Sequence, residues 1–442
     1  MFAEDSFSQI QTATSRHSDT QLAGSRIAEE NKENMSAMTS TSSMEEGSSG
    51  GGPSSHGGSG QVGQIGGGGG QVGGGGQVAL GDDDDGDDGH TIVGLSFNQD
   101  ATMFAIGTRK GYAAFKACPF EGALALASSG GIRIAEMLFS PSLIVLVGMG
   151  GPSSDDSPRR LRVFNTRRLS LAKDVIYPSA VLAVRTNRRR LVVVLHDAIH
   201  VHELGGNLKL LAKISKLDNP RGVVALTASP GPDDPAYMAY PKSPTRGEPA
   251  RSIVLVDAIN ILDHIVIDAH KSAAVAAMAF SYDGTLLASA SEHGTVIRVF
   301  AIPSADLLFE FRRGSQVATI YSLAFDASNT YLAVASSRGT VHVFKLERPE
   351  PSLADSFFAV LPSVVASAWE PLRAFATAPG EPDVEARVSF GAADLATNDG
   401  LGLQIISANG WYRRFAVDEA SGGECALLEQ YNLAEHTEWT SP

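Results

Sequence analysis

A chain of 442 residues is long enough to bury a sizeable core, as one large repeat domain or several smaller ones. Its formal charge of −14 and pI near 5.2 argue against a general nucleic-acid binder, because counterion release needs a basic face. Two distant cysteines, Cys118 and Cys425, match no metal spacing, no signal peptide opens the chain, and no apolar run reaches the roughly 18–20 residues of a membrane span. A cytoplasmic protein with at most peripheral membrane contact is expected.

Residues 1–88 are rich in Ser, Thr, Gly, Gln and Glu, repeat a Gly-Gly-Gln-Val theme, and end in six aspartates within 82–88. Such low hydrophobicity cannot offset chain entropy, so this segment is expected to be a disordered tail. From His90 onward the pattern becomes short apolar runs separated by turn residues. Ile92–Phe97, Met103–Gly107, Ile132–Phe139, Leu143–Gly148, Leu161–Phe164, Val181–Arg185, Leu191–Leu195 and Ile199–Leu204 read as strands. Between two of them, Arg188–Arg190 reads as a solvated hairpin tip. The Pro-rich stretch 228–250 reads as an enlarged loop.

Further along, the chain repeats itself. Phe280 and Phe325, Ser291 and Ser336, Gly294 and Gly339, and Thr295 and Thr340 are each 45 residues apart. A period of about 40–45 with several strands per unit is the WD-propeller signature. The tight turns Tyr282-Asp-Gly284 and Ala327-Ser-Asn329 join antiparallel strands, and Val299-Phe300 and Val343-Phe344 stand where Trp-Asp usually ends a unit. Residues 90–433 hold seven to eight such units, and insertions at 151–160, 228–250 and 347–366 reduce them to seven. The expected fold is all-β: a disordered tail over 1–88 and a seven-bladed propeller over 89–442.

Between the two copies lies Phe311-Arg312-Arg313-Gly314. If extended, its arginines point to opposite sides, since strand side chains alternate. Two pockets follow: Arg312 with Ser291, Thr295 and Arg298, and Arg313 with Ser336, Thr340 and His342. Ser289 and Thr319 are additional donors, and Gly314 permits close backbone approach or positive φ. Guanidinium forks, hydroxyls and imidazole suit a phosphomonoester. Neither set offers a nucleophile, a general base or a metal cage, no catalytic motif occurs elsewhere, and no cofactor is expected. The competing account is a WD unit whose hydroxyls bond within the blade.

The segment His270–Leu346 resembles the core of the PROPPIN family, the WD-repeat phosphoinositide-interacting proteins of autophagy. The carriers are His270-Lys-Ser, Leu287–Phe300, Phe309–Gly314 and Ile320–Phe325, with weaker likeness at Leu95–Asp100, Gly131–Phe139 and Val181–Arg185. The resemblance implies a seven-bladed propeller that binds phosphatidylinositol 3-phosphate and the 3,5-bisphosphate. It implies a first pocket of His270, Ser289, Ser291, Thr295, Arg298 and Arg312, and a second of Arg313, Thr319, Ser336, Thr340 and His342. Only the resemblance brings in His270. It further implies that the loop at about 347–366 enters the bilayer, through Phe357, Phe358 and Leu361. The alternative for those residues is a cover over the propeller edge or part of a strand. Asn98 and Asp100 match positions at which some relatives engage an autophagic lipid-transfer protein, though Asn and Asp also suit a plain blade turn.

The expected protein is a non-enzymatic, monomeric effector, peripheral on autophagosome-precursor, endosomal or vacuolar membranes, that scaffolds autophagosome formation. The alternative is a generic WD scaffold that ignores lipid.

Overall fold

The computed structural model describes residues 91–440 apart from 129, 140–141, 152–155, 206, 230, 232–233, 245–247, 262–263, 348–371 and 395–398. The expected tail at 1–88 and the candidate insertion residues Phe357, Phe358 and Leu361 lie outside the described residues.

Seven antiparallel sheets follow one another along the chain. Blade 1 is β1 (Ile92–Phe97), β2 (Met103–Thr108), β3 (Gly111–Ala117) and β4 (Phe120–Ala127). Blade 2 is β5 (Ile132–Met137), β6 (Leu143–Gly148), β7 (Arg160–Asn165) and β8 (Ser170–Ile176). Blade 3 is β9 (Ala183–Thr186), β10 (Arg190–Val194), β11 (Ala198–Glu203) and β12 (Leu210–Ser215). Blade 4 is β13 (Ala225–Leu226), β14 (Tyr237–Pro241), β15 (Ile253–Asp257) and β16 (His264–Ile267). Blade 5 is β17 (Val275–Phe280), β18 (Leu286–Ser291), β19 (Val296–Ala301) and β20 (Leu307–Arg312). Blade 6 is β21 (Ile320–Phe325), β22 (Tyr331–Ser336), β23 (Thr340–Lys345) and β24 (Ala376–Pro379). Blade 7 is β25 (Ala386–Asp394), β26 (Asp399–Ser407), β27 (Trp411–Val417) and β29 (Ala426–Asn432). The short β28 (Gly423–Glu424) leaves blade 7 to pair parallel with β24. The chain is a seven-bladed propeller.

Strand composition follows position. Second strands are covered by neighbouring blades on both faces, so β10 and β22 are near-continuous apolar runs, buried throughout. Innermost strands such as β1 line a central channel and are only partly buried. Outermost strands such as β8 and β12 are mostly exposed. The tight turns are as expected: Gly284 and Asn329 have φ of 75° and 59°, and Asp283 and Asp326 accept the following backbone N–H groups. Asn329 Nδ2 also donates to Asp283 Oδ2 at 2.9 Å, tying the blade 6 turn to that of blade 5.

Among the described residues no strand of the blade 7 sheet joins the blade 1 sheet, and the ring closes through side chains together with the backbone of Thr440. Phe104, Phe115 and Ile106 of blade 1 share one buried cluster with Ile406, Tyr412 and Leu433. Tyr412 Oη donates to Ala117 O at 2.7 Å. The outer edges of three blades are capped by later segments: Leu372 bridges Phe311 of β20, β28 lies along β24, and Thr440 bridges Leu126 of β4, all parallel. Among the described residues β8, β12 and β16 carry no such cap.

Two sequence expectations are corrected here. The stretch 228–250 is not a plain loop, because Tyr237–Pro241 is the second strand of blade 4, buried along most of its length and hidden in sequence by flanking prolines. Arg188–Arg190 is not a solvated tip. The Arg190 guanidinium donates to Ala258 O and Ile259 O, Arg189 donates to Asp234 O, and Arg188 lies over the Phe139 ring. These arginines bind blade 3 to both neighbours, since buried carbonyls at blade junctions need donors.

Candidate functional site

Blades 5 and 6 are the two copies of the 45-residue unit, and the double arginine is the connection between them. Arg312 ends β20 and is exposed, whereas Arg313 is 7% exposed. The two consecutive arginines thus differ sharply in their surroundings.

The first residue set gathers around His270, which lies between blades 4 and 5. The Nη1 of Arg298 donates to His270 Nδ1 and to Ala269 O, both at 3.0 Å. With Nδ1 accepting, the ring proton sits on Nε2, which lies 3.2 Å from Ser289 Oγ. Burial, reinforced by the adjacent Arg298 charge, pushes the His270 pKa down to about 3. The imidazole is therefore neutral, with both nitrogens engaged. Ser289 and Arg298 are cross-strand partners in the β18–β19 hairpin. Arg298 is also opposite Glu310 of β20, and its Nε and Nη2 reach Glu310 Oε2 at 2.8 and 2.7 Å. A cavity of about 360 Å³ opens beside this group, with Lys271 and Arg298 facing Asp268 and Glu310. Val266 and Leu307 form part of its wall.

Other members of the first set stand apart. Ser291 closes β18, where its carbonyl accepts the Gly294 N–H at 2.8 Å, and the Thr295 carbonyl accepts the Arg313 N–H at 2.9 Å. Among the described residues no side-chain hydrogen bond joins Arg312 to Ser291, Thr295 or Arg298. The Arg312 N–H instead donates to Leu372 O at 2.8 Å, and Leu372 N–H donates to Glu310 O at 3.0 Å.

The second set is built differently. Arg313 Nε donates to Gly294 O at 2.6 Å, and its Nη2 donates to Gln316 O, so this guanidinium braces the blade 5 hairpin and its own loop. Among the described residues no carboxylate pairs with it. Burial, and then the Arg313 charge, lower the His342 pKa. His342 Nδ1 and Ser336 Oγ are buried, and neither has a hydrogen-bond partner among the described residues. Thr340 opens β23 and is half-buried. Thr319 is exposed, with its N–H donating to Ser337 Oγ at 3.1 Å.

The two hairpins differ by one residue. Four residues separate β18 from β19, and three separate β22 from β23. As a result Arg298 and His342 occupy matching places, opposite Ser289 and Val334 respectively. On the outer side Arg298 faces Glu310, but His342 faces Thr377. Gly294 has φ 58°, and a Cβ there would stand 2.0 Å from Ala318 O, so this turn requires glycine. Gly314 needs no such freedom: its φ is not positive, and a Cβ would meet nothing within 4 Å.

Sequence reasoning overlooked Glu310 and the carbonyls of Ala269, Gly294 and Gln316. Glu310 was legible in principle, as it lies two residues before Arg312 in a strand. The carbonyls leave no trace in residue type.

At the β1–β2 turn, Asn98 is buried. Its Oδ1 accepts from Met103 N at 3.0 Å, and its Nδ2 donates to Phe139 O of the next blade at 2.5 Å. Asp100 is exposed and accepts from Thr102 N and Oγ1.

A sequence model of the PROPPIN family matches residues 91–434. The chain belongs to the PROPPIN family. Autophagy-related protein 18 of Yarrowia lipolytica is 35% identical, over 78% of this chain and 97% of the relative. The protein of the same name from Dictyostelium discoideum is 35% identical, over 77% and 93%. Among solved structures, KlAtg21 in complex with the coiled coil of AgAtg16 is 27% identical with a TM-score of 0.63, over 78% of this chain and 99% of that one. Kluyveromyces lactis Hsv2, at 19% identity and a TM-score of 0.60, shares the fold over 77% and 99%. Among the described residues of this PROPPIN no helix is long and apolar enough to cross a membrane.

Proposed function

We propose that this PROPPIN is a non-enzymatic effector in autophagosome formation that binds phosphatidylinositol 3-phosphate and the 3,5-bisphosphate through the groups flanking Arg312 and Arg313. The observation that carries this reading is the buried Arg313 guanidinium, which among the described residues has no carboxylate partner and lies close enough to half-buried His342 to lower its pKa, while the buried atoms His342 Nδ1 and Ser336 Oγ have no hydrogen-bond partner among those residues. A buried polar atom without a partner costs about 1–3 kcal/mol, which a phosphate oxygen would relieve. The cavity beside Arg298 and Lys271 supplies the second headgroup site. Two weak sites on one particle reinforce each other, the second engaging at millimolar-type effective concentration. Such binding lets an acidic protein select lipids that its net charge would otherwise repel. Phe357, Phe358 and Leu361 would add apolar insertion, each worth about 1.5–3 kcal/mol if fully buried. The protein acts as a monomer, peripheral on autophagosome-precursor, endosomal or vacuolar membranes.

A protein partner is part of the same reading. Asp100 is an exposed residue of the β1–β2 turn that a lipid-transfer protein could reach, while Asn98 shapes the turn from inside. The coiled-coil complex of KlAtg21 supports a coiled-coil partner for this chain as well. Exposed Leu169, Leu171 and Ile176 at the uncapped edge of blade 2 also favour protein docking, which on its own is the scaffold reading without lipid.

Liposome co-sedimentation of the full chain tests the proposal. Vesicles would carry phosphatidylinositol or its 3-, 4- or 3,5-phosphorylated forms. Binding confined to the 3-phosphorylated lipids, and lost in Arg312→Thr/Arg313→Thr, is expected. Equal binding of a folded wild type to all four vesicles would overturn it, and no binding to any would leave the scaffold.

A further inference from the structure

We infer that the two headgroup sites are unequal by construction, because Glu310 acts as a built-in competitor for the phosphate at Arg298 while the site at His342 has no such rival. This rests on the phosphomonoester reading above and concerns the same two sites.

The asymmetry starts in the strand register. Arg298 and His342 hold matching places in their hairpins, yet the outer strand supplies Glu310 to one and Thr377 to the other. In the first site Glu310 Oε2 already takes two guanidinium N–H groups at 2.7–2.8 Å, and Ala269 O and His270 share another guanidinium nitrogen. A carboxylate presents a guanidinium with much the same planar pair of oxygens as a phosphate does. An incoming phosphate therefore has to displace Glu310, or bind beside its negative charge. Both weaken binding relative to an uncontested cation. In the second site, among the described residues, the Arg313 side chain donates only to neutral carbonyls, and the buried Ser336 Oγ and His342 Nδ1 have no hydrogen-bond partner. The second site fills first, and the first fills when a higher local density of phosphate offsets Glu310. The sequence of events makes recruitment sensitive to phosphomonoester density rather than to its mere presence.

The test is calorimetric titration of the full chain with soluble inositol 1,3-bisphosphate, run beside titration with vesicles containing phosphatidylinositol 3-phosphate. Wild type is expected to show two classes of site at least tenfold apart in Kd. Glu310→Gln should tighten the weaker class about tenfold and leave the tighter one in place. Ser336→Ala should remove or strongly weaken the tighter class only. Should Glu310→Gln fail to fold, Thr377→Glu is the reciprocal variant, and it should weaken the tighter class about tenfold. Melting temperatures check the fold of each variant. Two equal sites, or a weaker class unmoved or loosened by Glu310→Gln, would overturn the inference while sparing the headgroup reading. An effect seen with vesicles but not with the soluble compound would also overturn it, since Glu310 would then act on the bilayer and not on the phosphate. No binding of either probe would end both the inference and the reading beneath it.

Discussion

Blades 5 and 6 repeat one 45-residue pattern, pair their two innermost strands in the same register, and still present different chemistry at the same place. One added residue in the blade 5 hairpin keeps Arg298 aligned with His342, and the outer strand then adds an acid to one and a hydroxyl to the other. The comparison teaches that a repeat conserves geometry while its charge is free to vary. The buried faces must interlock with neighbouring blades, but a half-buried position on the outer strand need only avoid an unpaired charge.

The hairpin turns should separate the two blades most. Gly294→Ala should cost about 3 kcal/mol or more, from a positive φ and from the approach of its Cβ to Ala318 O. Gly314→Ala, immediately after Arg313, should stay within about 0.5 kcal/mol. Urea denaturation of both variants checks this, and similar losses would mean that the blade 5 turn is not the rigid element described.

Next in size is acid sensitivity, which should come mainly from blade 5. His270 is held near pKa 3 against about 6.5 when unfolded, so the unfolded chain binds the extra proton between those values. Stability is complete above about pH 6.5 and falls as pH drops toward 3, by up to about 1.4 kcal/mol per pH unit from this group. His270→Gln should remove most of that slope between pH 6 and 4 in denaturation series. His342, lowered in the same direction, should add a smaller slope that a headgroup reverses, because a bound anion favours the imidazolium. Headgroup affinity at the second site should thus rise as pH falls from 7.5 to 6.

The arginine pair separates more finely. Arg313→Thr leaves Gly294 O and Gln316 O without their charged donor and should cost about 1.5–3 kcal/mol. Arg312→Thr should change stability by less than about 0.5 kcal/mol. Thermal melts of the single variants would sharpen any lipid-binding result, since a loss in the Arg313 variant mixes recognition with bracing. Arg312→Thr is the cleaner probe of binding.

Much of the propeller was legible because its second strands are buried on both sides and its turns demand Asp, Gly and Asn at fixed spacing. The eight strands read from sequence through Leu204 all lie on observed strands, with ends shifted by up to two residues. The strands not read were β3, rich in small residues, and exposed outer strands such as β8 and β12, which lack a buried face to impose alternation. In the site, Arg298, Ser289 and His270 do meet, though through an imidazole fixed in its neutral form. Arg313 turned inward to backbone carbonyls instead of standing open. Those carbonyls, and the cross-strand pairing that sets Glu310 against Arg298, depend on register, which residue type alone does not specify.

The capped edges bear on how the ring comes apart. Leu372, Gly423–Glu424 and Thr440 each lend backbone hydrogen bonds to a blade other than the one they come from, so blades 5, 6, 7 and 1 are laced into a continuous arc. Opening any one of them frays the next. Among the described residues blades 2, 3 and 4 carry no such strand cap, and the Arg188–Arg190 side chains clasp them together. Amide exchange should therefore begin in that second arc and reach the laced one last, leaving the proposed headgroup sites on the slow-exchanging half of the molecule.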